Sequence, residues 1–184
     1  MKELSTINFI KVGNGRLALY HRPRGTDFSL LKEIGCTHVI TLLKESEGAQ
    51  CYGNMTTNAG IEWIWLPVPN GKYPEGEVHD RLIQAMPILS QLLDDRKSLL
   101  IHCSAGIHRT GTVAYGLLRW RGLDSAHAMK IIGRTRKETA EGMLEKRMRW
   151  GDENAQPVIS QDHSWTHSVK EFVNRWLTSR FNSR

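Results

Sequence analysis

The sequence predicts an α/β domain built on a largely parallel sheet. Short apolar runs alternate with longer stretches of helical periodicity, and turn formers fall between them. A chain of 184 residues with 40% hydrophobic and 24% charged residues has room for one compact domain and a short appended segment. Sixteen Gly and 6 Pro are too few for a collagenous or disordered chain.

The elements follow in order. Residues 16–20 (Arg-Leu-Ala-Leu-Tyr) read as a first strand, ended by the turn-forming His21-Arg-Pro-Arg-Gly25. Asp27 is expected to cap a short helix to Ile34, with Gly35 as its stop. Residues 37–43 are rich in β-branched side chains and read as a buried strand. A helix over 45–59, irregular near Gly53, precedes a strand over 61–66, and 67–74 is a loop dense in Pro and Gly. Val78, Leu82, Ile83, Met86, Ile88, Leu89 and Leu92 recur at helical spacing and predict a long amphipathic helix over 75–96. A strand over 98–102, a loop to His108 and helices over 109–120, 123–136 and 139–150 complete a domain of residues 1–150. Residues 151–163 read as a polar linker, and Trp165, Val169, Phe172, Val173 and Trp176 form the apolar stripe of a C-terminal helix within 151–184.

Twenty-five Lys and Arg against 19 Asp and Glu give a net charge of +6, which favours anionic partners. Acids and bases balance after residue 150, so the excess lies in the first 150 residues. No apolar run reaches the ~18 residues of a membrane span, and the first residues lack an apolar signal core, so a cytoplasmic location is expected. Cys36, Cys51 and Cys103 are too scattered for a disulfide framework or a paired metal site.

The chemistry concentrates in residues 99–111, Leu-Leu-Ile-His-Cys-Ser-Ala-Gly-Ile-His-Arg-Thr-Gly. A strand delivers Cys103 to a tight turn that opens a helix, and such a turn aims several backbone amides at one small volume suited to phosphate. Helix dipole, amides and Arg109 all favour thiolate over thiol at Cys103. Arg109 can present two parallel donors to a phosphoryl group, and the Thr110 hydroxyl can stabilise the sulfur as it leaves phosphorus. Gly106 and Gly111 provide room where the backbone is crowded. Nothing basic is arranged in sequence around Cys36 or Cys51, which read as ordinary cysteines.

His102-Cys103-Ser104-Ala105-Gly106-Ile107-His108-Arg109-Thr110-Gly111 resembles the signature loop of the cysteine-dependent protein tyrosine and dual-specificity phosphatases. The order of elements over residues 16–150 fits the small dual-specificity type. The resemblance implies a three-layer fold in which Cys103 is the nucleophile that becomes phosphocysteine and Arg109 binds phosphate. Ser104, Ala105, Gly106, Ile107 and His108 form the cradle, and His102 fixes the loop. His108 either contacts substrate at the pocket mouth or only faces solvent. No metal or cofactor is implied, and the substrate class is phosphotyrosine, with phosphoserine and phosphothreonine, on a phosphorylated protein.

One departure concerns the general acid. The family carries an Asp about thirty residues before the nucleophile, and here Asn70 stands at that position, with Glu75, Glu77 and Asp80 as replacements just downstream. The family's water-positioning glutamine has no counterpart either, which leaves Glu138, Thr139 or Glu141. A missing acid fits leaving groups of the pyrophosphate type, so RNA 5′-phosphates, a nucleotide or a phosphoinositide remain alternative substrates. Arg22, Arg24, Lys72, Arg134, Arg136 and Lys137 are candidates for the rim of such a pocket, whereas the charge run 130–149 reads as a solvated helical face. The tryptophans show no stacking platform for nucleic acid, so no stable complex with it is expected. A further alternative is a phosphate-binding module without turnover, and the C-terminal helix either packs back on the domain or binds a partner.

Overall fold

A computed structural model describes residues 7–155. Five strands form one sheet in the order β1-β2-β5-β3-β4: β1 (Ile10–Val12), β2 (Gly15–Tyr20), β3 (His38–Thr41), β4 (Glu62–Trp65) and β5 (Ser98–His102). β2, β5, β3 and β4 run parallel, and β1 is antiparallel to β2. Side chains alternate strictly between two cores, as the two-residue period of a strand demands. Leu17, Leu19, Ile40, Leu99 and Ile101 face one side, while Ala18, Tyr20, Val39 and Leu100 face the other.

The second core is covered by α1 (Asp27–Glu33) and α2 (Ala49–Asn58). The first is covered by α3 (Gly76–Asp94), α4 (His108–Trp120), α5 (Ser125–Thr135) and α7 (Glu145–Glu153), with the short α6 (Lys137–Glu141) between the last two. The result is the expected three-layer α/β fold. Every residue of β5 is buried, because this strand has a neighbour on each edge and helices on each face.

Four local expectations are corrected. Asp27 opens α1 instead of capping it: Thr26 holds the cap position, and the Asp27 carboxylate accepts the Arg24 amide at 2.8 Å. The irregularity expected near Gly53 falls at Gly48, whose φ of 84° separates a 3-10 turn (Glu45–Glu47) from α2. The helix expected over 139–150 divides into α6 and α7. The linker expected from Gly151 starts as helix through Glu153, because Asp152 accepts the Tyr115 hydroxyl at 2.7 Å and Arg119 Nε at 2.8 Å. Strand β1 went unpredicted, since three residues are too few to display a period. The expected C-terminal helix lies outside the described residues.

Candidate active site

Cys103 follows directly on β5 at the carboxyl edge of the sheet, where open parallel sheets place their ligand crevices. The next residues turn into α4, whose first residue is His108. The Ser104 carbonyl accepts the Arg22 amide at 3.0 Å, and the Ala105 carbonyl accepts Arg136 Nη1 at 3.0 Å. The Gly106 carbonyl accepts both Arg136 Nη1 at 2.8 Å and the Thr139 hydroxyl at 2.6 Å. In a planar trans peptide the N–H points opposite to the C=O. Three carbonyls drawn outward therefore turn the amides of Ala105, Gly106 and Ile107 inward, and the Gly106 amide donates to Cys103 Sγ at 3.3 Å. Gly106 has φ 68°, and a Cβ there would lie 2.3 Å from the Tyr20 carbonyl oxygen, so the turn admits only glycine.

Arg109 is only 4% exposed. Its Nη1 donates to Glu47 Oε2 at 2.7 Å and its Nη2 to Glu47 Oε1 at 2.9 Å, while Ser104 Oγ accepts from Nη2 at 3.1 Å. This hydrogen bonding holds the Glu47 carboxyl down at about 2, against a smaller opposing effect of burial. Burial works against the charge of Arg109, but Glu47 and the nearby Cys103 outweigh it and raise its pKa. Two buried polar atoms of this segment, Arg109 Nε and Thr110 Oγ1, have no hydrogen-bond partner.

His102 lies behind Cys103 and is completely buried. Its Nε2 is 2.8 Å from Thr41 Oγ1, which also accepts Trp63 Nε1–H at 2.9 Å. Burial, with lesser effects of Arg22, Arg109 and His21, lowers its pKa to about 3, so the ring is neutral. This environment suits a structural part better than a proton carrier.

A cavity of about 740 Å³ opens beside Arg109. It is walled by the loop of residues 68–75, by His108 and Thr112 of α4, and by a face of α7 that includes Lys146, Arg147 and the buried Trp150. Asn70 and Glu75 line it, and Glu77 and Asp80 do not. Of the basic residues expected at the rim, Lys72 alone lines it. Arg22 and Arg136 instead brace the loop, Arg22 also donating to Ser104 Oγ at 3.2 Å. The candidate water-positioning residues are engaged elsewhere: Thr139 on the Gly106 carbonyl, Glu138 beside Arg136 at 3.7 Å and Glu141 beside Lys137 at 3.5 Å.

The sequence reading missed Glu47 and the cavity-lining cations of α7. Glu47 was discoverable only through topology, since β3 must lie beside β5 before the residues after one can meet the residues after the other. The α7 cations were hidden because a helix's charge run carries no record of which face closes a cavity. Cys36 is buried, which pushes its thiol up to about 12, and Cys51 is exposed on α2, away from this site. Among the described residues no cluster of three or more His, Cys, Asp or Glu side chains is arranged to hold a metal ion, and no helix is long and apolar enough to cross a membrane.

A sheet-edge cysteine, a braced loop with inward amides and an arginine at the start of the following helix define a phosphatase domain of the cysteine-dependent class. The model of the Swiss Army Knife protein family with a DSP-PTPase phosphatase domain, PTP-SAK, matches residues 6–160, and the chain belongs to that family. Mouse laforin is 26% identical over 161 residues, which are 77% of this chain and 45% of laforin, so the chain spans less than half of that relative. Among solved structures, kinase-associated phosphatase with its catalytic-site cysteine replaced by serine superposes with a TM-score of 0.64 at 17% identity, over 82% of this chain and 95% of that one. The catalytic core of the PP-IP phosphatase Siw14 from S. cerevisiae gives 0.58 at 20% identity, over 92% and 93%. At these identities the structural likeness speaks for the fold.

Proposed function

We propose that this domain hydrolyses phosphomonoesters through a phosphocysteine intermediate formed on Cys103. The substrate phosphorus sits in the cradle of Ser104, Ala105, Gly106, Ile107 and His108, with the inward amides and Arg109 on its oxygens. The Cys103 sulfur attacks phosphorus, the S–P bond forms as the P–O bond to the leaving group breaks, and that oxygen leaves with the electron pair and takes a proton. Water then attacks the phosphocysteine, phosphate departs, and the sulfur recovers its electrons with Thr110 stabilising it. The carrying observation is the geometry of the Cys103 loop: its Ser104, Ala105 and Gly106 carbonyls are held outward, its amides turn inward with the Gly106 amide on Cys103 Sγ at 3.3 Å, and Arg109 opens the following helix. Phosphotyrosine, with phosphoserine and phosphothreonine, is the leading substrate class, and the phosphorylated partner is a protein in the cytoplasm.

A second reading, turnover of RNA 5′-phosphates, a nucleotide or a phosphoinositide, draws support from Asn70 on the cavity wall, since an amide gives no proton to an ester oxygen. The deciding experiment measures phosphate release by wild type and Cys103→Ser on a phosphotyrosine peptide and a 5′-triphosphorylated RNA across pH. Cys103-dependent release from the peptide supports the first reading and release from RNA alone the second. Tight phosphopeptide binding without release from either would instead make the domain a phosphate-binding module.

A further inference from the structure

The cavity beside Arg109 carries more positive charge than one phosphate requires. Five basic side chains line it, and two are already neutralised: Arg109 by Glu47, and Arg149 by Glu153, whose other oxygen takes the Tyr73 hydroxyl. Lys72, Lys146 and Arg147 remain. Among the described residues none of these three has a carboxylate within ion-pair distance, although Arg147 donates to the Gly142 carbonyl. Against them stands Glu75 alone.

The three come from two separate elements, the loop after β4 and α7, and converge on one concavity. His108 registers the resulting field: after burial, Arg147, Lys146 and Arg109 are what depress its pKa. Uncompensated cations on an open surface are ordinary, but several converging on a cavity of small-ligand size beside a phosphate cradle call for an anion.

Resting on the phosphatase reading above, and favouring its second substrate class over phosphotyrosine, we propose that Lys72, Lys146 and Arg147 form a second anion subsite, and that the substrate is a small molecule carrying a second phosphoryl group. One phosphoryl group enters the Cys103 loop while the other lies among these cations, in the cavity that Tyr73 and Trp150 also line. A phosphotyrosine ring in the same place would set an uncharged face beside cations that gain nothing from it. The second phosphoryl group is either joined to the first as an anhydride or borne on a separate ester oxygen.

The test is calorimetric titration of the full chain as Cys103→Ser, at fixed ionic strength, with orthophosphate, tripolyphosphate, glucose 6-phosphate and glucose 1,6-bisphosphate. In each pair, the ligand with more phosphoryl groups should bind about tenfold or more tightly. The double variant Lys146→Gln/Arg147→Gln should reduce that preference to about threefold or less. The charge-matched variant Lys130→Gln/Lys137→Gln, two exposed residues outside the cavity, should keep it. Preference for tripolyphosphate alone assigns an anhydride, and preference for the bisphosphate alone assigns a separate ester. Wild-type ratios near one, or equal losses in both double variants, overturn the subsite. Failure of the phosphatase reading appears separately, as absence of phosphate release by the protein that retains Cys103.

Discussion

Arg109 and Glu47 meet in a two-point ion pair, 2.7 and 2.9 Å long, that ties the start of α4 to the turn after β3. Both terminal nitrogens of the guanidinium are thereby committed, and Nε is left buried and unpartnered. Glu47 fixes the plane of the guanidinium, so under the proposed mechanism Arg109 meets phosphate in one orientation. A planar, five-donor fork held in this way is pre-organised, whereas a mobile one must be ordered at each binding event.

Glu47→Ala is therefore expected to lower kcat/KM by about 10²-fold, the cost of misaiming a positioned group by roughly an ångström. Because Glu47 is held at about 2, it stays ionised through the working range, and variant and wild-type pH profiles should run parallel between pH 4 and 8. A rise in phosphate affinity in the variant would show that Glu47 blocks Arg109 instead of aiming it.

Arg109→Lys keeps the charge and loses the fork. With Glu47 still present, an ammonium can satisfy the carboxylate or a phosphate oxygen but cannot hold both in fixed geometry. Turnover should fall by about 10³-fold with stability little changed, and Cys103→Ser should show none. Turnover of Cys103→Ser near the wild-type level would remove the covalent route.

Thr110→Val tests the second step. Its hydroxyl is buried without a partner, and valine matches its shape while offering no donor. If the hydroxyl stabilises the departing sulfur, hydrolysis of phosphocysteine slows more than its formation. Rapid quench on an activated aryl phosphate should then show a burst near one equivalent, followed by a steady rate about tenfold or more below wild type. A slower burst with an unaffected steady rate would put Thr110 in the first step.

The parts of the site that lie together in the chain were legible in the sequence, and those joined only by topology were not. Residues 102–111 carry their own local logic, with a strand, a glycine turn and a helix start in ten positions. The layered fold was readable for the same reason, since strand and helix periods are local signals. Glu47 reaches Arg109 across 62 positions and Arg136 reaches the Ala105 carbonyl across 31, and nothing in either neighbourhood announces the partner. The helix expected over 139–150 is divided at Gly142-Met143-Leu144, where the backbone turns and no proline marks the break in the sequence.

Glu75 is the carboxylic acid of the loop 68–75 that lines the cavity, and under the proposed mechanism it is the candidate to protonate the leaving oxygen. Its removal should matter only where the leaving group needs that proton. Glu75→Gln is expected to slow hydrolysis of alkyl phosphates by about 10²-fold and of 4-nitrophenyl phosphate by less than threefold. Equal losses on both would make Glu75 a binding residue, and no loss on either would place the proton source elsewhere.

His102 and Thr41 set the acid limit of the fold. Thr41 Oγ1 accepts Trp63 Nε1–H and lies 2.8 Å from His102 Nε2, which gives the buried imidazole a polar partner at that nitrogen. With burial as the main cause, its pKa is lowered to about 3, and that of His38 to about 4. Once unfolded, both rings take up a proton near pH 6.5, whereas the folded protein refuses it until the lower values are reached. The unfolded state binds more protons throughout that interval, so stability must fall as pH drops from about 6.5 toward 4, by up to about 1.4 kcal/mol per pH unit for each ring. Denaturant unfolding measured between pH 4 and 8 should show this limb. His38→Gln should remove about half its slope, and Thr41→Val should lower stability at neutral pH by about 1–3 kcal/mol through the unsatisfied Nε2. A wild-type stability that stays flat from pH 8 to 4 would mean that both rings accept protons in the folded state, and that burial does not hold them neutral.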